Sequence, residues 1–396
     1  MKKFLAWIAG SCAALCLAGC HSVKTGNSTA SVPLPADSVT DTSSITEPSN
    51  ATIPMNAIAL PSVKEAVTAE DGTELFSLSF QRTQVMLHNT AAEEKIINDL
   101  QSRNGSILDN AYQIEAQAHS DYPESEYWNS YFVDIAYTPT RLDQTVLSLF
   151  GNTSSYSGGP HPSLVTGSVT YDVETGNVIY LDDILTPECS SDTLYQLILK
   201  YLEPQAEDLY YDYSDALADR FTGQLHNIQD WYFSRSGLCF HFAPYDIAPY
   251  SSGTVIAELP YSALTGILNE KYFPNVPSAT GSMYAKAYTD DNDENFTNVI
   301  DVLLHENGNE VLLYPDAAVT DLRIETGIRH TENNQYIAVS TVFVANIMNV
   351  GDAIHLSANL ESTDTVLRLV YHSEGKEFSS FITYDSTGDS MLLTNG

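Results

Sequence analysis

Val165-Thr166-Gly167-Ser168-Val169-Thr170-Tyr171-Asp172-Val173-Glu174-Thr175-Gly176-Asn177-Val178-Ile179-Tyr180-Leu181 holds two strand-like runs around one turn. Val165, Gly167, Val169 and Tyr171 alternate with polar neighbours, the period of a strand with one buried face. Glu174-Thr175-Gly176-Asn177 supplies turn chemistry, and Val178–Leu181 reads as the returning strand of a β-hairpin. The period then changes. Leu194, Leu197, Ile198, Tyr201 and Leu202 lie on one face of a helix, which Pro204 should end or kink. A hairpin followed by an amphipathic helix predicts an α+β region.

Upstream, Phe76, Leu78 and Phe80 alternate as in a half-buried strand. Thr90-Ala91-Ala92-Glu93 has the pattern of a capping box, with Ala92, Ile96 and Leu100 following at helical spacing. Tyr131, Val133, Ile135 and Tyr137 alternate again. Downstream, Glu207, Asp208, Asp212, Asp215 and Asp219 are set against Arg220 alone, and two more strands are expected at Leu238–Phe242 and Thr254–Leu259. From Ser282 onward the texture is different. Short alternating runs at Val299–Leu304, Val311–Tyr314, Tyr336–Val344, Ala353–Leu360, Val366–Tyr371 and Phe378–Tyr384 are separated by turn-rich pieces. They predict a separate all-β, sandwich-like C-terminal domain over 280–396, with Pro274 and Pro277 marking its boundary. The preceding chain is expected to divide into α+β portions over 61–150 and 151–273.

The first residues carry an address. Lys2 and Lys3 precede an apolar run ending Leu17-Ala18-Gly19-Cys20, which is a charged n-region, an h-region and small residues before a cysteine. This resembles the signal of bacterial lipoproteins, and an ordinary secretory signal is the other reading. The resemblance implies cleavage after 1–19, lipid on Cys20, and an extracytoplasmic protein anchored to the cell membrane. Residues 20–60 are expected to form a flexible tether. Thirteen of the residues from His21 to Thr52 are Ser or Thr, and no aromatic residue occurs between Trp7 and Phe76. Such a segment has too little apolar surface to offset its ordering entropy.

The formal charge is −34, from 17 Lys+Arg and 51 Asp+Glu. A field of this sign repels nucleic acid and anionic headgroups and attracts cationic proteins. It serves equally as a solubility coat. Of the five cysteines, Cys12 and Cys16 would leave with the signal and Cys20 would carry lipid. Cys189 and Cys239 remain, too few for a zinc framework, with a disulfide permitted outside the cell. Nothing after the signal is long and apolar enough to predict a spanning helix.

Two phrases point to a family. One is Tyr156-Ser157-Gly158-Gly159-Pro160-His161-Pro162, followed by Tyr171-Asp172-Val173-Glu174-Thr175-Gly176. The other is Phe242-Ala243-Pro244-Tyr245-Asp246-Ile247-Ala248-Pro249-Tyr250, ending Ser251-Ser252-Gly253. In order and spacing they resemble the RsiV-like extracellular domain family, and residues 70–270 carry the likeness. The resemblance implies an RsiV-like sheet-and-helix region over 151–273 preceded by its companion domain. It also implies a module able to bind lysozyme, as the ectodomain of an anti-sigma factor of this family does. Pro160 and Asp246 replace the family's commoner Ala and Glu. No sigma-binding segment and no Thr-Phe-Asp-Asp metal motif of the family's deacetylase members is present, so neither of those roles carries over.

Tyr156, Gly158, Gly159, His161, Pro244, Tyr245, Pro249 and Tyr250 are therefore the candidate partner-binding residues. Each phrase has two physical readings. The glycine-proline segment is either a recognition loop or a tight connection whose His161 caps a carbonyl. The tyrosine-proline segment is either a rigid interface or the closing end of a core. No catalytic residue, metal site or cofactor is expected. There is no Gly-x-Ser-x-Gly elbow, and His305-Glu306 lacks the second His of a zincin helix. Asp290-Asp291-Asn292-Asp293-Glu294 lacks the glycine and final glutamate of an EF-hand loop. Cys239 and His241, two apart on a strand, read as core rather than as a nucleophile pair. The expected function is a non-enzymatic, lipid-anchored envelope binding protein recognising a cationic wall-active protein of lysozyme type or peptidoglycan glycan. An envelope-acting hydrolase with unidentified residues is the alternative.

Overall fold

The computed structural model describes residues 53–124, 127–221, 225–289, 294–330, 335–360, 366–385 and 390–395. The signal 1–19, Cys20 and the tether up to residue 52 lie outside the described residues, as does most of the acidic run at 290–293. In chain order the elements begin with β1 (Asn56–Ala59), β2 (Val63–Thr68), β3 (Glu74–Phe80), β4 (Thr83–Met86), α1 (Thr90–Asp121), β5 (Tyr131–Leu142), β6 (Val146–Tyr156) and β7 (Ser163–Asp172). The middle holds α2 (Leu181–Ile184), α3 (Ser191–Leu202), α4 (Tyr213–Phe221), β8 (Trp231–Phe233), β9 (Gly237–Phe242) and β10 (Val255–Pro260). The remainder is β11 (Met283–Ala287), β12 (Asn298–Leu303), β13 (Asn309–Pro315), β14 (Val319–His330), β15 (Gln335–Met348), β16 (Asp352–Ala358), β17 (Val366–Ser373), β18 (Lys376–Asp385) and β19 (Ser390–Asn395). The protein is mostly β, with several sheets and a few helices, an α+β composition.

A five-stranded sheet runs β2-β3-β5-β6-β7. Its β3 and β5 are parallel, and α1 makes the crossover between them. Phe76, Leu78 and Phe80 are buried on the expected face of β3. Ile96 and Leu100 of α1 pack with Leu147, Leu149, Val169 and Tyr171 of β6 and β7. The helix cap lies one residue earlier than the sequence pattern indicates. Asn89 accepts from the amides of Ala91 and Ala92, while the Glu93 carboxylate accepts from the Leu87 amide at 2.7 Å. The expected hairpin keeps its turn but loses its returning strand. Asp172 accepts from the amides of Glu174 and Thr175, yet only the single bridge Tyr171↔Val178 follows before α2 begins at Leu181. Leu181 and Ile184 are buried with α3, so core burial outweighs strand pairing there.

In α3 the predicted stripe is present. Leu194, Ile198 and Leu202 are buried against the small sheet β10-β9-β8, whose Phe233, Phe240 and Phe242 complete the core. Each such fully buried side chain contributes about 1.5–3 kcal/mol of transfer free energy. The helix ends at Leu202, and Pro204 sits in the following 3-10 segment Glu203–Asp208. This small sheet is tied to the larger one by Ser148, whose hydroxyl accepts from the Phe233 amide at 2.9 Å.

The C-terminal runs form a four-stranded sheet β11-β13-β16-β12 and a seven-stranded sheet β19-β18-β17-β14-β15-β1-β4. Ile300, Val302, Val311, Leu313, Ile354 and Leu356 of the first share a core with Leu322, Ile324, Phe343, Leu367 and Leu369 of the second. No strand crosses residue 280, but the expected tether and the expected boundary at 150 both cut into strands. Residues 56–59, expected in the tether, are the fully buried β1, paired to β15 through Asn56↔Ala345 and to β4 through Asn56↔Met86. Strand β6 runs across residue 150 and pairs with both β5 and β7. The physical reason is that strand pairing is long-range, whereas composition and punctuation are local. All described residues belong to one compact unit, 50–396. Cys189 and Cys239 are both free. Among the described residues no helix is long and apolar enough to cross a membrane.

Candidate functional site

The second phrase folds as a turn that singles out one side chain. The Asp246 amide donates to the Ala243 carbonyl at 3.0 Å, closing a four-residue turn with Pro244 and Tyr245 at its centre. Pro244 suits the second position of a type II turn, and the third position demands a positive φ. Tyr245 occupies it with φ 76°, where glycine would be free of strain. The turn is held from several sides. The Asp246 carboxylate accepts from the Ala243 amide at 3.0 Å and lies 3.3 Å from Arg220 of α4. The Tyr245 amide donates to the Ala248 carbonyl at 2.9 Å. Ile247 and Ala248 are buried, and Tyr245 is 57% exposed.

The first phrase meets this turn. The Nδ1 of His161 is 2.8 Å from the Pro162 carbonyl, which can only accept, so the ring carries its proton there when neutral. Nε2 then accepts from the Tyr245 hydroxyl at 3.0 Å. The imidazole stacks on Tyr250, with centroids 4.0 Å apart and planes tilted by 27°. The centroids of Tyr245 and Tyr250 are 5.9 Å apart at 34°. Three rings tilted by 27° to 34° from one another, with Pro162, Ser163, Leu164 and Pro244, line an open recess of about 140 Å3.

Of the sequence candidates, His161, Pro244, Tyr245 and Tyr250 come together in this recess. Pro249 supports it from behind, its carbonyl accepting from the Ser252 amide in the turn that holds Tyr250. Tyr156, Gly158 and Gly159 do not line it. The Tyr156 hydroxyl donates to the Gly159 carbonyl at 3.1 Å, and its ring packs on Tyr131 and Phe132. Gly158 and Gly159 have φ of 93° and 105°, and a Cβ on Gly158 would meet the Tyr131 hydroxyl at 2.9 Å. These three shape the loop. Pro162 and Asp246 lie within the quoted phrases, and Ser163 and Leu164 follow the first of them, yet none of the four was a candidate. Arg220 stands out in sequence as the one cation of an acidic stretch. It serves Asp246 and Asp230, the latter's carboxyl being pushed up by burial.

A buried polar cluster lies nearby. His241, 1% exposed, has Thr166 at 2.9 Å from Nδ1 and Ser168 at 2.9 Å from Nε2. Burial, helped by Arg220, lowers its pKa to about 4. The Ser168 hydroxyl is within reach of the Gln229 and Trp231 carbonyls, at 2.9 and 2.7 Å. Its proton goes to a carbonyl, so His241 donates to Ser168 rather than accepting from it. That is the reverse of a nucleophile and its base. The pair therefore braces β7 against β9. Cys239 on the same strand is buried, and burial pushes its thiol up to about 12. Among the described residues no three His, Cys, Asp or Glu side chains gather as a metal site.

A second crevice, of about 30 Å3, lies between Arg141, Asp143, Arg235 and Asp321. That is room for little more than water. Arg141 donates to Asp143, the Tyr261 hydroxyl and the Tyr272 carbonyl, and Arg235 lies 2.5 Å from Asp321. It is a structural joint with its cations already matched.

Solved structures similar to the chain include two of DUF3298 family proteins. A member of the DUF3298 family from Bacteroides fragilis is 18% identical, covers 55% of this chain and 94% of its own, and gives a TM-score of 0.40. A DUF3298 family protein from Pseudomonas aeruginosa is 15% identical, covers 56% and 98%, and gives 0.41. No curated protein matches the chain. Residues 182–262, which hold Arg220, Tyr245 and Tyr250, match the sequence model of the family described as "Protein of unknown function (DUF3298)".

Proposed function

We propose that this chain is a lipid-anchored, extracytoplasmic binding protein of the bacterial envelope, with an RsiV-like region that recognises a cationic wall-active protein of lysozyme type. The observation that carries the reading is the meeting of the two phrases. His161 and Tyr245 are 84 positions apart and joined at 3.0 Å, and they build an exposed aromatic recess on rigid turns. Rigid tyrosines lose little entropy on binding and are favoured at protein interfaces. A formal charge of −34 supplies long-range attraction for a basic partner. The lipobox at Leu17–Cys20 supports the anchor.

Two measurements test this reading. Metabolic labelling with palmitate should mark the wild-type protein and leave Cys20→Ala unlabelled, whereas labelled Cys20→Ala removes the lipoprotein assignment. Residues 53–396 used as bait on wall extracts should retain basic proteins. Retention of glycan fragments alone turns the partner into wall polysaccharide.

A further inference from the structure

We infer that the His161–Tyr245–Tyr250 recess receives one arginine or lysine side chain of its partner. This rests on the reading of the recess as the binding site and adds the chemistry that it recognises. The recess offers ring faces. The inward polar tips of His161 and Tyr245 are spent on each other and on the Pro162 carbonyl. Ring faces carry the negative end of a quadrupole and attract ammonium and guanidinium groups. A sugar needs several directed hydrogen bonds, and beyond the paired tips of His161 and Tyr245 the lining side chains offer the hydroxyls of Ser163 and Tyr250 for them. The volume of about 140 Å3 fits the end of one long side chain. It falls short of the roughly 300–1,000 Å3 of pockets that enclose whole small molecules.

Charge beside the recess has the matching sign. The segment 203–221 carries Glu203, Glu207, Asp208, Asp212, Asp215 and Asp219, all exposed, and one cation, Arg220. Arg220 is already shared between Asp230 and Asp246. The segment is fastened to the aromatic turn at three points. The Tyr210 amide donates to the Ile247 carbonyl at 2.9 Å, Ser252 donates to the Asp208 carbonyl at 3.1 Å, and Arg220 meets Asp246. A basic side chain arriving at the rings therefore meets an acidic rim. The aromatic faces give the short-range, salt-resistant part of the contact, and the rim gives the long-range, screened part.

The test uses labelled oligo-arginine and a chitin oligosaccharide as probes, with fluorescence anisotropy on residues 53–396. At physiological ionic strength, Tyr245→Gly and Tyr250→Leu should weaken oligo-arginine binding about tenfold, within the range of a desolvated cation–ring contact. Tyr245→Phe and Tyr250→Phe keep the rings and should bind within about twofold of wild type. Asp212→Asn with Asp215→Asn should weaken binding at low salt and leave it nearly unchanged at physiological salt. Ring-deleted variants that bind oligo-arginine as tightly as wild type overturn the inference. So does displacement of oligo-arginine by the chitin oligosaccharide. Ring-dependent binding of oligo-arginine without any binding of lysozyme sustains the inference and removes only the lysozyme-type partner.

Discussion

The Nε2 of His161 and the hydroxyl of Tyr245 lie 3.0 Å apart across 84 residues of chain. This bond joins the glycine-proline loop to the type II turn, and the recess exists only because both are stiff. The tyrosine is held in backbone space that glycine occupies more easily. His161 does reach a carbonyl, that of Pro162, and it also forms an exposed aromatic wall.

Tyr245→Gly should separate stability from binding. Relief of the positive φ returns about 1–2 kcal/mol. Loss of the exposed hydrogen bond and the added freedom of glycine in the unfolded chain oppose it by a similar amount. The unfolding free energy should stay within about 1 kcal/mol of wild type in denaturant melts, while the recess loses a wall. A loss of several kcal/mol would mean that Tyr245 is a core residue.

Gly158→Ala and Gly159→Ala should differ. Both require a positive φ, but only at position 158 would the new Cβ press on the Tyr131 hydroxyl, itself bonded to Asp121 at 2.8 Å. We expect about 1 kcal/mol of destabilisation at Gly159 and about 2 kcal/mol at Gly158. Equal costs measured by thermal melts would contradict the close approach.

His241 predicts an acid-side loss of stability. Its folded-state pKa of about 4 lies below the unfolded value of 6.5, so the unfolded chain takes the proton first. Its contribution is complete above pH 6.5 and is lost as pH falls toward 4, by about 3 kcal/mol in all. His241→Gln should flatten that part of the stability–pH curve. An unchanged slope in the variant would assign the effect to other groups.

Much of this fold was legible in the sequence because much of it is periodic. The α3 stripe, the alternation in β3 and β5, and the six expected C-terminal runs are realised as elements at those positions. What escaped depended on distant partners. Strand β1 has four small or apolar residues and no local signal, and it is fixed by Phe343, Val344 and Ala345 of β15. Strand β14 falls outside the expected runs, and it carries Arg323 and Glu325. They pair with each other and with Arg368 and Glu377 on one face, while Leu322 and Ile324 face the core. The site was half legible. Local stiffness at Gly158-Gly159-Pro160 and Pro244-Tyr245 marked both loops, but nothing local showed that they meet.

The two thiols should react in order. Cys189 is partly accessible at the edge of its core, whereas Cys239 is 2% exposed in β9. Burial raises both thiols, Cys239 as far as about 12. A thiol-specific reagent should label Cys189 in the native protein and Cys239 only on unfolding. Equal rates in the native state would contradict the burial of β9.

Surface plasmon resonance of residues 53–396 over immobilised lysozyme asks whether the recess binds a lysozyme-type partner. Association should slow as salt rises past the point where the Debye length is about 8 Å. His161→Ala and Tyr245→Ala should speed dissociation more than they slow association, with thermal midpoints nearly unchanged. Folded wild-type protein that does not bind at low salt would rule out a lysozyme-type partner.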